Sequence, residues 1–479
     1  MPPVVNAKER EYIKIPGTIH IHSNVSTGKY SVDVLAKMAK DKGTKVMILT
    51  DHLLLRAEYG ILPFRNLLCK RVEEKSILKY GAKKYLKLIE QVDEHYPDLI
   101  VIPGSEVIPY YYFTGSYFHK NLTMHNFGKQ LLVVGLSKPK DFEQLPILSN
   151  KFAKRHNIKT IYQLSPLLIL ILGLWLIKKK RVKKISTKLQ TIAIHTHPYR
   201  PLGAVISSIA VLSLVNNFPF SSFEFNQYHK EQGIKPYQNL IDYVNKKGGL
   251  TFWTAPDITS SRMVEGIKLH TQVYSKDLLE SKDYTGFAVF YEGYKTTGNI
   301  GGIWDQTLIQ YCKGERERPV WTIGEVDFHS EENGVGGKRI DSVQTVFLVK
   351  RMSKEKILNA LKDGKMYAKL NSKVNDLSLD KFVIENGDKS AWMGDEIVCR
   401  SSPKIKIEVS SSDINSIKVE LIRKGKIVKR FNFKKSKSII FEDDYFSLGE
   451  KIYYRLSIIS EYGEIISNPI FVEFRGRSH

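Results

Sequence analysis

Gly17-Thr-Ile-His20-Ile-His22-Ser23 is the stretch that decides how this chain is read. On a β-strand, residues two apart point to the same face, so two imidazoles at such a spacing can grip one ion. Alone the pattern is weak. It gains weight because three further strand-like runs end in residues of the same chemistry. Val46–Leu49 leads into Thr50-Asp51-His52, and Leu99–Ile102 leads into Pro103-Gly104-Ser105-Glu106. Val320–Ile323 leads into Glu325, Asp327 and His329. Strand ends that carry His, Glu and Asp converge at one mouth of a parallel barrel. A mixed nitrogen and oxygen donor set suits zinc, manganese or iron rather than calcium.

Around these runs the chain alternates helix and strand. Helical patterns are expected over 31–42, 72–95, 237–247 and 353–363, with a strand at Leu250–Trp253 after Gly248-Gly249. This is the signature of an α/β fold built on a largely parallel sheet.

Taken together, Gly17–Ser23, Ile48–His52, Gly104–Glu106 and Gly324–His329 resemble the successive motifs of the polymerase-and-histidinol-phosphatase (PHP) superfamily, across about residues 15–370. The resemblance implies a distorted (β/α)7 barrel, up to three metal ions and phosphoesterase activity. It implies His20, His22, Glu106 and Asp327 as ligands of one ion, with His52 and His329 serving a neighbouring one. Glu106 and Asp327 are the residues expected at the reacting centre. Asp51 is expected to orient His52, and Glu325 to support the ligands from behind.

The chain also departs from the family. Thr27 stands where an acidic residue or histidine is usual, and Gln130 stands where a histidine is usual; upstream His119 or His125 could substitute. The family's His-Pro motif has two candidate positions, His197-Pro198 and Ala255-Pro256. The context of helix, Gly-Gly and strand favours the second, which makes Ala255 a missing ligand. One or two ions are therefore expected rather than three. A catalytically degenerate PHP domain that binds a partner at a membrane is the alternative to an active phosphoesterase.

Two apolar runs, Ile161–Ile177 and Leu202–Val215, flank a segment (178–201) with eight Lys or Arg and no Asp or Glu. With aromatic Tyr162, Trp175 and Phe218 beside them, the runs are expected to form a two-pass membrane hairpin next to anionic lipid. The formal net charge of +23 favours acidic partners, here a phosphorylated substrate and membrane lipid. No aromatic-basic module marks a nucleic-acid enzyme. The opening MPPVVNAKEREYIKIPG carries no apolar core of a secretory signal. Three scattered cysteines make no framework.

After about residue 376 short β-rich runs separated by turns predict an antiparallel β-sandwich. The expected division is a barrel over 1–160 and 219–375, an inserted hairpin over 161–218 and a sandwich over 376–479.

Overall fold

A computed structural model describes residues 12–156, 158–186, 190–290, 296–331, 338–371, 377–411, 416–461 and 463–476. The opening residues 1–11, Lys188 of the basic segment and the boundary at 376 lie outside the described residues.

Seven strands carry the site: β1 (Ile13–Ile21), β2 (Val46–Leu49), β3 (Ile100–Val107), β4 (Leu131–Val134), β5 (Leu250–Trp253), β6 (Gly286–Val289) and β7 (Trp321–Gly324). Every residue of β2 and of β4 to β7 is buried, as befits strands covered on both faces. β1, β2 and β3 run parallel, β4 is antiparallel to both β3 and β5, and β5, β6 and β7 run parallel. The chain beyond β7 then returns to β1. Val326 N–H donates to Ile19 O at 3.0 Å, Phe328 N–H to His20 O at 2.9 Å, and His22 N–H to Phe328 O at 2.9 Å. These bonds close a ring in which six strands present their carboxyl ends to one mouth and the reversed β4 presents its amino end.

Amphipathic helices cover the ring. Val32–Asp41 starts where the Ser31 hydroxyl accepts from Val34 N–H and buries Val32, Leu35, Ala36 and Ala39. Lys235–Lys246 buries Tyr237, Leu240, Ile241 and Val244 at helical spacing. The helix expected over 72–95 is shorter. It begins as one turn at Ile77–Tyr80, breaks at Gly81 with φ 105°, and continues as Ala82–His95.

β1 has two partners on the side away from β2. Its first half pairs antiparallel with β8 (Val343–Val349), from Ile13 opposite Val349 to Gly17 opposite Thr345. β8 pairs with β9 (Met366–Leu370), and β9 with Gly463–Ser467. The ring and the C-terminal β-rich region thus belong to one 15-stranded sheet. A separate four-stranded sheet packs on that extension, sharing a core that includes Phe382, Ile384, Ile407, Val419 and Leu456. The region is not wholly antiparallel as expected, because Glu396–Cys399 runs parallel to Ile470–Phe474.

Two compact units emerge. One comprises 1–55, 75–148 and 227–479; the other comprises 56–74 and 149–226. The inserted unit is therefore larger than the expected 161–218 and draws in the ribbon Arg56–Gly60/Cys69–Glu73. Within it, Asn216 Oδ1 accepts from Asn66 N–H at 2.9 Å, tying the two segments together.

The expected membrane crossings need correction. The first apolar run is broken into a helical turn at Ile158–Ile161, a 3-10 turn at Tyr162–Leu164 and a helix at Pro166–Lys178. That 13-residue helix is about 20 Å long against a hydrocarbon core of about 30 Å. The second helix, Arg200–Asn217, spends its 18 residues partly on Arg200, three serines and two asparagines. No helix among the described residues is long and apolar enough to cross a membrane.

Ring and β-rich region are fastened by a buried ion pair. Arg455 Nε and Nη2 each donate to the Asp305 carboxylate at 2.7 Å, and the Tyr453 hydroxyl donates to it as well. Arg455 also lies 4.5 Å from the Trp304 ring centre. Arg455→Met leaves Asp305 buried without its counter-charge and is expected to lower stability by about 3–5 kcal/mol, read from urea unfolding midpoints. The double change Arg455→Met with Asp305→Asn should recover part of that loss.

Candidate metal centre

The mouth of the ring gathers the motif residues. Glu106 ends β3 and aims both carboxylate oxygens at imidazoles. Oε1 lies 3.3 Å from His20 Nε2, and Oε2 lies 3.4 Å from His22 Nε2 and 3.0 Å from His52 Nδ1. Asp327 Oδ1 approaches His20 Nε2 at 3.5 Å, His22 Nε2 at 3.6 Å and His329 Nε2 at 3.1 Å. All six sequence-derived candidates thus stand together. The donors close enough to share an ion form two groups, His20 with His22 and Glu106, and His22 with Asp327 and His329. His52 stands beside Glu106 and His329 beside Asp327, so the expected pairing of these two on one ion gives way to an arrangement with His22 between them. The His22 ring centre is 4.6 Å from that of His52 and 4.2 Å from that of His329.

Regular strand alternation does not by itself bring His20 and His22 together. β1 bulges between Ile19 and Ile21, and His20 at the bulge has φ 70°. Ala255 (φ 42°), Phe290 (φ 74°) and Asp327 (φ 47°), which follow β5, β6 and β7, also take left-handed backbone. Such conformations cost non-glycine residues free energy and concentrate where a site dictates direction.

Hydrogen bonds from behind fix the imidazoles. His20 Nδ1–H donates to Glu325 Oε2 at 2.7 Å, which aims Nε2 at Glu106 and Asp327. His22 Nδ1 lies 3.4 Å from Ser26 Oγ, and Ser26 Oγ–H donates to Asp51 Oδ1 at 2.5 Å. Asp51 also accepts from Ser23 N–H at 2.8 Å and Ser23 Oγ–H at 2.7 Å. The expectation that Asp51 orients His52 is therefore corrected. Its carboxylate holds the turn after β1 and reaches His22 through Ser26. Gly28 permits that turn, because a Cβ there would fall 1.9 Å from His22 O.

Buried His20 Nε2, His22 Nε2 and His52 Nδ1 make no hydrogen bond among the described residues. Three nitrogens left so would be costly unless something else took their lone pairs. Ligand atoms about 2.1 Å from a tetrahedral ion stand about 3.4 Å apart, which is the spacing these donors show. The residues present fit a divalent cation.

The electrostatics agree with that use. Burial holds His22 in its neutral form, with its pKa lowered to about 3. Burial also opposes charge on His20, but Glu325, Glu106 and Asp327 outweigh it and raise its pKa well above the ordinary value. Burial works against ionised Glu106 and Asp327, yet the surrounding imidazoles hold both below the usual carboxylate range.

Gln130 and Ala255 also meet at the mouth. Gln130 precedes the reversed β4, its carbonyl accepts from Thr254 N–H, and Ala255 follows. The ring runs through Leu250–Trp253 and not through Thr191–Thr196, an exposed ribbon strand carrying His195. Thr27 Oγ1 lies 3.0 Å from His329 Nδ1 and steadies that imidazole. His125 belongs to a different small sheet, bonded to Thr114, and does not join the cluster. Sequence reading missed the parts played by Ser23 and Ser26; the run of hydroxyls directly after His22 was the available signal.

No protein-family model matches the chain, and no curated protein matches it. Among solved structures, the chain is similar to a two-domain protein of Bacteroides vulgatus described as containing a predicted PHP-like metal-dependent phosphoesterase. That likeness has 12% identity and a TM-score of 0.36 over 94% of this chain and 95% of the other. It is also similar to a predicted metal-dependent phosphoesterase of Bifidobacterium adolescentis, at 13% identity and a TM-score of 0.29 over 67% of this chain and 91% of the other.

Metal affinity should depend on pH in a definite direction. Metal-free His20 keeps its proton to higher pH than an ordinary imidazole, so an ion must displace it. Affinity should rise about tenfold per pH unit while that proton is displaced, and His22, already neutral, should add no such dependence above about pH 4. Calorimetric titration with zinc in two buffers of different ionisation enthalpy counts the proton released. Glu325→Gln should weaken zinc binding about 10–100-fold in chelator competition with the fold retained.

Proposed function

We propose that the chain is a metal-dependent phosphoester hydrolase of the PHP type. The observation that carries this reading is the meeting of His20, His22, His52, Glu106, Asp327 and His329 around unpartnered imidazole nitrogens. The order of the four motifs supports the choice of phosphoester chemistry over other metal-assisted hydrolyses.

His20, His22 and Glu106, with Asp327, would hold the principal ion, one of zinc, manganese or iron. Glu106 offers its second oxygen toward His52, which suits a carboxylate shared between two ions. A bound divalent ion supplies positive charge for phosphoryl oxygens and makes a water acidic enough to react near neutral pH. The protein's own part is to orient and to admit. Glu325 fixes the His20 tautomer, and the Asp51–Ser26 relay fixes His22. Asp327 and His329 have side chains 43% and 39% exposed, which opens that side of the cluster to an incoming phosphate. Lys338 Nζ lies 3.7 Å from Asp327 Oδ2 and is placed to attract phosphoryl oxygens arriving there. Arg339, next in the chain, is engaged by both oxygens of Asp341 and is assigned no role in capture.

The test is hydrolysis of p-nitrophenyl phosphate by purified full-length protein with added manganese or zinc. His20→Ala and Asp327→Ala should each lower kcat/KM at least about 1,000-fold. Lys338→Ala should raise KM about tenfold and change kcat less. A wild-type protein that holds no divalent ion and turns over no phosphate ester would instead be the degenerate, ligand-binding domain.

A further inference from the structure

The helix pair of the inserted unit has an unusual surface. Leu168 is 72% exposed, Ile171 63% and Trp175 52% on the first helix, and Val205 is 56% and Val215 54% exposed on the second. Leu167, Ile169, Leu172 and Leu174 are exposed as well, so apolar positions run round more than half of the first helix and no single flat contact would cover them. Water-soluble surfaces rarely leave so continuous an apolar area open.

The buried seam between the helices is equally informative. It is made of small residues, not leucines. A Cβ on Gly173 would fall 2.5 Å from Ser207 Oγ, and one on Gly203 would fall 2.6 Å from Gly173 O. Ala210 is fully buried in the same helix. In water, two apolar helices gain by turning their largest side chains toward each other. In hydrocarbon that gain vanishes, and close backbone approach through small residues is what pairs helices.

The end of the pair supplies the third observation. The first helix runs out through Lys178-Lys179-Lys180 into the ribbon Arg181–Ser186/Thr191–Thr196, which is exposed throughout and carries Lys183 and Lys184. Lys179 Nζ sits 4.4 Å from the Trp175 ring centre and 5.3 Å from that of Tyr199. Amphipathic aromatics and lysines at the limit of an apolar stretch mark a hydrocarbon–headgroup boundary.

We propose that this helix pair and its basic ribbon are an anchor for an anionic lipid bilayer, with acyl chains around the helices and headgroup phosphates against Lys178–Lys184. A second copy of the chain would cover one side and leave the others wet. The apolar length of about 20 Å, short of the full hydrocarbon core, suits lodging in one leaflet.

Flotation with vesicles tests this. The full-length protein is purified in detergent and freed of detergent in the presence of vesicles of phosphatidylcholine, with or without one-third phosphatidylglycerol. The wild type should float with the anionic vesicles. Leu168→Glu with Leu172→Glu, at exposed positions, should reduce flotation at least tenfold while circular dichroism and melting stay unchanged. Lys183→Glu with Lys184→Glu should reduce it about tenfold or more at low salt, since each cation near an anionic surface is worth roughly fivefold. The proposal is overturned by a wild type that remains unbound with anionic vesicles, or by leucine variants that float like the wild type. It is also overturned by flotation indifferent to both phosphatidylglycerol and the ribbon lysines. A defined dimer without vesicle binding, converted to monomer by Leu168→Glu, would assign the surface to a second copy instead.

Discussion

The two-way pairing of β1 is the constraint on which the rest depends. Its first half is committed to β8 and its second half to the stretch after β7. Three backbone bonds, between Ile19, His20 and His22 on one side and Val326 and Phe328 on the other, close the ring. The same bonds seat the last motif against the first. Without them Asp327 and His329 would have no reason to meet His20 and His22, some 300 residues earlier in the chain. The bulge at His20, in the pairing of β1 with β2, lies level with the bonds that close the ring on the opposite edge.

The site is held by unequal means. Glu106 rests within a fully bonded strand and faces three imidazoles at once. Asp327 sits on a left-handed turn, is half exposed and has Lys338 beside it. The site thus pairs a buried inner carboxylate with a more open outer one. Gln130 and Ala255 bring no imidazole or carboxylate to their side of the mouth, so the clustered His, Glu and Asp side chains come from the ends of β1, β2, β3 and β7.

Much of this was legible in the residues. Four short apolar runs ending in His, Glu or Asp indicated which segments meet and where, because side chains at the ends of ring strands have little choice of position. The metal fit rests on those same residue types. Other features had no sequence signal. Nothing in Leu131–Val134 distinguishes a reversed strand from a parallel one, since both are buried on two faces. Asp51 precedes His52 in sequence, yet its carboxylate turns to Ser23 and Ser26, because adjacent residues on a strand end face opposite ways. Arg455 and Asp305 are 150 positions apart and read as ordinary charges until folding removes water from both. The apolar runs signalled a hydrophobic hairpin, but Ser165-Pro166 interrupts the first helix and polar residues shorten the second, so crossing length could not be judged from hydropathy alone.

The fork in β1 also sets a timetable for synthesis. A ribosome releases this strand some 300 residues before its two late neighbours emerge. At a translation rate of about 5–20 residues per second the nascent strand waits roughly 15–60 s with that edge unpaired. An open, apolar edge is a template for wrong pairing with other chains. Until the segment that completes the mouth of the ring has left the tunnel, the half-made polypeptide carries an edge open to such pairing.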